Sequence, residues 1–198
     1  MSARRAAALV LVLAGLGNVA AQPLPGGTLT LAIHPGTSHL TFTIHRPGET
    51  IDGTAREFTG EVVFNPADLS AGSSVTLRVV ASSLTTGNRM RDRKMRGSHL
   101  EVERFPEIVF KSTSIRVGSE RGGSQRKALV EGVLSLHGVD RTLMVPAAIR
   151  YDSVTLTAEG SVALTYSDYG IPIPRFLWLV MEDDIQVRFR FVAEAAAR

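Results

Sequence analysis

The stretch Asp184-Ile-Gln-Val-Arg-Phe-Arg-Phe191 decides the fold class, because Ile185, Val187, Phe189 and Phe191 interleave with Gln186, Arg188 and Arg190. A strict period of two is the signature of a half-buried β-strand, with one face in an apolar interior and the other in water. The alternation recurs in Leu40/Phe42/Ile44, in Val75/Leu77/Val79 and in Leu143/Val145/Ala147/Ile149. Together these stretches predict a water-soluble, all-β protein with a large apolar core. Further out, strands are expected at Leu29 to Ile33, His39 to Arg46, Phe58 to Phe64, Ser74 to Ala81, Ile108 to Val117, Ala128 to His137, Thr142 to Tyr151, Ser153 to Ala158, Gly160 to Tyr166 and Asp184 to Ala193. Turn chemistry separates them at Pro47-Gly48, Asn65-Pro66, Ala71-Gly72, Gly122-Gly123, Gly138 and Asp152. Strands this short and this closely spaced fit a barrel or a sandwich, and periodicity does not choose between the two.

The N-terminus reads differently. Arg4 and Arg5 precede an apolar run from Ala6 to Leu16 and small residues ending Val19-Ala20-Ala21, the layout of a secretory signal peptide. The run is too short for the ~20 residues that cross a bilayer. A leader of residues 1–21 and one domain over 22–198 are therefore expected, in the periplasm or secreted. Lys and Arg number 22 against 19 Asp and Glu; without Arg4 and Arg5 the count is 20 against 19, a net +1. So neutral a domain lacks the basic excess of a nucleic-acid binder. With no cysteine, neither disulfides nor a cysteine-linked lipid anchor is available.

One segment breaks the alternation. Thr85 to Gly97 carries Arg89, Arg91, Arg93, Lys94 and Arg96, has threonines at its start to cap a helix and a glycine at its end to stop one. An Asp92–Arg96 pair at i, i+4 would add only ~0.2–0.5 kcal/mol. Arg89, Arg93 and Arg96 share a helical face, which is either a solvated surface or a grip on phosphate or an anionic membrane near a pocket mouth. The prolines of Ile171-Pro-Ile-Pro174 preclude a regular central strand, and in the apolar stretch that follows Phe176, Leu177 and Trp178 either plug one end of the core or form a lip over an opening.

Catalytic and metal signatures are sparse. His39 and His45 on one unbroken strand would stand about 20 Å apart at ~3.3 Å per residue, too far to share an ion. Neither His34 nor His99 has a carboxylate or cysteine at ligand spacing, so no metal is expected. No nucleophile elbow, phosphate loop or zinc-protease motif occurs. A membrane-spanning barrel would turn its apolar face outward between aromatic girdles, which a chain with 6% aromatic residues does not provide for.

Several stretches together carry a resemblance. Ser38-His-Leu-Thr-Phe-Thr-Ile44, Phe58-Thr-Gly-Glu-Val-Val-Phe64, Ser83-Leu-Thr-Thr-Gly-Asn-Arg-Met-Arg-Asp92, Phe105-Pro-Glu-Ile-Val-Phe110, Val130-Glu-Gly-Val-Leu-Ser-Leu-His-Gly-Val139 and Ser167-Asp-Tyr-Gly-Ile171 resemble, in order and spacing, the YceI-like family of exported polyisoprenoid-binding or lipid-binding proteins. Two features depart from that pattern: Tyr166 where a basic residue is usual, and the apolar Phe176 to Met181. The resemblance implies an eight-stranded antiparallel, lipocalin-like β-barrel with one short inserted helix. For ten candidate strands to become eight, Leu29 to Ile33 must run on into the His39 strand and Thr155 to Tyr166 must be one bent strand.

It also implies a tunnel for an isoprenoid or quinone-like lipid as ligand, with no other cofactor. The side chains expected to line it are Leu40, Phe42, Ile44, Phe58, Phe64, Leu77, Val79, Phe110, Leu134, Leu136, Val145, Trp178, Val187, Phe189 and Phe191. Arg89, Arg91, Asp92, Arg93 and Arg96 are expected at a headgroup or membrane surface. The partners implied are a long-chain lipid, an anionic membrane in transient contact and a second copy of the chain as a homodimer, with no nucleic acid. The function implied is a non-enzymatic carrier or reservoir. The alternative is an enzyme that acts on a lipid headgroup at the mouth with Asp92 or Asp168 as base, which would need that carboxylate within hydrogen-bond reach of the reacting position.

Overall fold

The computed structural model describes residues 27–66, 68–118, 125–152, 154–176 and 179–195; the expected leader, the Gly122-Gly123 turn and Trp178 lie outside them. The alternating segments form β1 (Leu29–Ile33), β2 (His39–Arg46), β3 (Glu49–Ala55), β4 (Phe58–Phe64), β5 (Ser74–Val80), β6 (Leu84–Thr85), β7 (Glu107–Val117), β8 (Gln125–Leu136), β9 (Val139–Tyr151), β10 (Thr155–Thr165), β11 (Arg175–Phe176), β12 (Leu179–Val180) and β13 (Asp184–Ala195), with one helix, α1 (Arg89–Lys94). Pairing runs β1-β4-β5-β7-β8-β9-β10-β13 and returns from β13 to β1, which closes an eight-stranded antiparallel barrel. Closure decides for the barrel over the sandwich. Among the described residues every wall strand then has a neighbour on both sides, though β9 and β10 are paired over only part of their length.

The strands that look too numerous are interrupted halves of single wall strands. β13 pairs with β1 at Ile33↔Ala193 and with β2 from His39↔Arg190 to Ile44↔Ile185, so β1 runs on into β2 across a break that contains Pro35. Buried Ser38 bridges that break, its Oγ accepting from Val192 N at 2.9 Å and donating to Val192 O at 3.4 Å. β3 runs on into β4 in the same way. There Ser83 bridges, its Oγ accepting from Glu57 N at 3.1 Å and donating to Glu57 O at 3.3 Å. Each serine supplies the partners that a continuous ladder would have given. β10 is the single strand that the two candidates on either side of Glu159 had to become.

The alternation of Glu49 to Ala55 is not visible in the sequence, and β3 is an addition to the expected strands. The cause is Gly53. It pairs directly with Phe42, and a Cβ there would sit 2.1 Å from Phe42 Cζ, so the inward position that should advertise a strand is left bare for the neighbouring ring.

One ladder is short. β9 and β10 pair only from Tyr151↔Leu156 to Ala147↔Gly160, stopping at Pro146, which has no N–H to give. A turn at Ser167–Tyr169 packs beside β9 here: Arg141 Nε donates to Asp168 O at 2.9 Å, and the His137 ring Nδ1 donates to Tyr169 O at 3.1 Å. Tyr169 is 1% exposed, and its hydroxyl has no partner among the described residues. A buried hydroxyl left unpaired costs more than it returns. Tyr169→Phe is therefore expected to stabilise the fold by about 1 kcal/mol, seen as a higher denaturant midpoint with an unchanged slope.

Candidate functional site

The inward rows surround a cavity of about 730 Å³, within the usual range for small-molecule sites. Because each strand turns every second side chain inward, the lining follows the period of two: Leu40, Phe42 and Ile44 from β2, Val75, Leu77 and Val79 from β5, Leu143, Val145, Ala147 and Ile149 from β9, and Ile185, Val187, Phe189 and Phe191 from β13. The arginines between them, Arg188 and Arg190, are exposed on the outer wall. The apolar row is thus inside, the reverse of a membrane-spanning barrel.

Glycines on adjoining strands hold the lumen open. Phe42 lies over Gly53 and Phe189 over Gly160, where a Cβ would come within 2.6 Å of the Phe189 ring. Both rings fold flat against the wall instead of crossing the cavity.

Of the residues expected to line a tunnel, Leu40, Phe42, Ile44, Phe64, Leu77, Val79, Phe110, Leu134, Leu136, Val145, Val187, Phe189 and Phe191 do line the cavity. Phe58 does not. It is buried in the packing around β4, with its ring centroid 5.8 Å from that of Phe191. Leu177 and Trp178 lie outside the described residues, and with them the alternatives of plug and lip; Met181, further along the same segment, lines the cavity.

The charged lining gathers at one end, where Arg46, Arg91, Lys94 and Arg175 stand with Thr86 and Asn88; Thr41 and Ser73 add hydroxyls to the lining elsewhere. Met90 lines the same end and is 81% exposed, which marks the mouth. α1 builds it. The helix starts later than Thr85: Asn88, not a threonine, caps it, its Oδ1 accepting from Met90 N and Arg91 N, each at 3.1 Å. It then passes into a π-helical turn over Met95–His99 and so runs beyond Gly97. Lys94 Nζ donates to Arg175 O at 3.0 Å and ties the helix to the segment opposite. His99 closes the turn: its Nδ1 lies 2.9 Å from Pro172 O, which can only accept, so Nδ1 carries the proton, and burial pushes its pKa down.

The basic run divides between two sides of the helix. Arg91 faces the mouth, with Nε donating to Thr86 Oγ1 at 2.8 Å and Nη1 3.6 Å from Glu49 Oε1. Arg89, Arg93 and Arg96 do share one face, as expected, but it opens on a separate outer groove with Arg56 and Arg104 rather than on the cavity. Nor is Arg96 free for a ligand. Its Nε and Nη2 donate to Leu84 O at 3.2 and 2.8 Å.

Asp92 is likewise structural, not a headgroup contact. It is 6% exposed, and its carboxylate accepts from Thr85 Oγ1 at 2.6 Å and from Thr86 Oγ1 and N at 2.6 and 2.8 Å, in place of the expected pair with Arg96. Burial alone would raise its pKa. The three hydrogen bonds, with Arg96 nearby, outweigh burial and hold it below its ordinary value. Asp168, the other carboxylate considered as a base, is exposed beside β9 and does not line the cavity. Neither is placed to act on a headgroup at the mouth. Among the described residues no three His, Cys, Asp or Glu side chains gather at metal-binding distances.

The model of the YceI-like domain family matches residues 31–193. A UPF0312 protein of Vibrio cholerae is 25% identical over 173 residues, covering 82% of this chain and 88% of its own length. Another, from Pseudomonas savastanoi, is 28% identical over 131 residues, 63% of this chain and 65% of its own. Among solved structures, Burkholderia cenocepacia BcnA superposes with a TM-score of 0.70 at 21% identity, covering 81% of this chain and 98% of its own. A polyisoprenoid binding domain from Saccharophagus degradans, implicated in plant cell wall breakdown, gives 0.68 at 17% identity, covering 84% and 99%.

Proposed function

This chain belongs to the YceI-like domain family, and from that premise we propose that it binds one amphiphile with a long isoprenoid chain, of polyprenyl or quinone type, as an exported carrier or reservoir. The observation that carries this reading is the polarity of the cavity: apolar along its length, with its cations at the mouth, where Met90 meets solvent. A hydrocarbon chain inside and a polar group among Arg91, Lys94 and Arg175 would satisfy both ends. The similarity to a protein described as a polyisoprenoid binding domain adds support for the chain type. Export rests on the composition of residues 1–21.

Magnitudes favour a carrier over a sink. Each buried methylene contributes about 0.8 kcal/mol relative to water, so one five-carbon unit contributes roughly 4 kcal/mol gross. A polyprenyl chain, however, normally resides in a membrane and is already in hydrocarbon. Transfer into a dry barrel then gains little. A ligand so balanced can load and unload. Binding is proposed rather than catalysis because the mouth offers cations and an amide, while the Thr86 hydroxyl is held by Asp92 and Arg91, His99 Nδ1 by Pro172 O, and Glu49 by Arg46 and Arg91.

Arg91 provides the test at the headgroup. Arg91→Gln is expected to lower affinity for a polyprenyl phosphate by about tenfold, from loss of one charge-assisted hydrogen bond, with little change for the uncharged prenol. Competition against a fluorescent long-chain amphiphile measures both. An equal loss for the two ligands would remove Arg91 from the headgroup site.

A further inference from the structure

We propose that the exposed face of α1 is a docking surface for an anionic phospholipid bilayer. Arg89, Met90, Arg93 and Lys94 are all exposed and form this face. Met90 and Lys94 line the rim of the cavity, while Arg89 and Arg93 line the outer groove, so the face spans the helix from one opening to the other. The helix's one acid, Asp92, lines the same groove as Arg89 and Arg93 but is buried there, its carboxylate held by Thr85 and Thr86, and the groove's other carboxylates, Glu101 and Glu103, lie outside α1.

The arginines around the groove differ in what they are free to do. Arg96 is committed to Leu84 O and Arg104 to Glu101. Arg56, Arg89 and Arg93 make no hydrogen bond or ion pair among the described residues. Three unengaged guanidinium groups beside a lysine suit phosphate oxygens.

Met90 decides the kind of partner. A thioether side chain 81% exposed amid these cations gains nothing from a nucleic acid or an acidic peptide lying across the helix. Under a layer of phosphates, by contrast, a bilayer holds an apolar region into which it can dip. Its place on the cavity rim adds a purpose: docking would set the mouth against the membrane from which a chain could enter. That purpose rests on the lipid reading of the cavity. The docking surface itself does not.

Sedimentation of the full chain with vesicles tests the proposal, comparing phosphatidylcholine alone with phosphatidylcholine mixed with phosphatidylglycerol. Binding is expected only to the mixed vesicles and is expected to weaken as salt shortens the Debye length. Each cation near an anionic surface is worth about fivefold in partitioning, so the double substitution Arg89→Gln and Arg93→Gln should weaken binding about 25-fold. Replacement of both by lysine should preserve it. Met90→Ser should cost several-fold more, and that part should persist at high salt. An unchanged melting temperature shows that each variant is folded.

Equal sedimentation with both vesicle types would overturn the proposal, as would indifference to the double substitution. So would release from mixed vesicles by inorganic phosphate at constant ionic strength, because that marks a small-anion site. Lipid retained through purification is measured on the same samples. Docking without retained lipid counts against the cavity reading alone, and retained lipid without docking counts against this proposal alone.

Discussion

Val145→Trp should abolish retention of a long-chain lipid while leaving the barrel folded. Val145 projects into the cavity from the middle of β9, in the inward row with Leu143 and Ala147. An indole there fills space that a chain would occupy. Excluding a single five-carbon unit forfeits about 4 kcal/mol of gross transfer, about a thousandfold in affinity measured against water. Overpacking normally costs 1–3 kcal/mol because a filled core has no room. This site opens on a cavity, so the melting temperature should hold or rise. Organic extraction of the purified protein followed by mass spectrometry reads the lipid. Wild-type levels in the folded variant would mean that the chain lies elsewhere.

The second large effect concerns the base of the mouth. Asp92→Ala should destabilise the protein by about 3 kcal/mol, since a charged acceptor lost from a buried network leaves its donors unpaired. Those donors are the Thr85 hydroxyl and the Thr86 hydroxyl and N–H, which together fasten the end of β6 and the residue after it to α1. Asp92→Asn keeps one acceptor oxygen and should cost less. The pH dependence has a definite sign. Because the folded-state pKa lies below the ordinary carboxylate value, Asp92 contributes its stability above the unfolded pKa near 3.8 and loses it as pH falls through the folded value. The difference in stability between wild type and Asp92→Asn should therefore shrink in acid. Denaturant titrations across an acidic pH series would show it, and a difference that widened would reverse the assignment.

What the sequence made legible follows from the range of the interactions involved. Alternation is local, so Leu40/Phe42/Ile44 and Ile185 to Phe191 announced both their strands and their inward faces. Closure is not local: β1 meets β13 across almost the whole described chain, and no short pattern encodes that pairing. Only the family resemblance pointed to the barrel. β3 escaped because its inward Gly53 gives its space to a ring on another strand. Phe58 satisfies the period of two yet packs into the wall, a distinction between core and lumen that periodicity does not draw.

At the helix, spacing correctly put Arg89, Arg93 and Arg96 on one face but did not say which face meets the barrel. Half-buried Met95, which with Arg91 turns to the cavity, was the available signal. Apolar residues within a basic helix mark the side that contacts the core.

Native mass spectrometry of the folded chain, purified without added lipid and again after incubation with a long-chain polyprenol, tests the central claim most directly. One amphiphile per chain, released on denaturation and missing from Val145→Trp, is the predicted result. A bare polypeptide mass under both conditions, or a bound mass that Val145→Trp leaves in place, would contradict it.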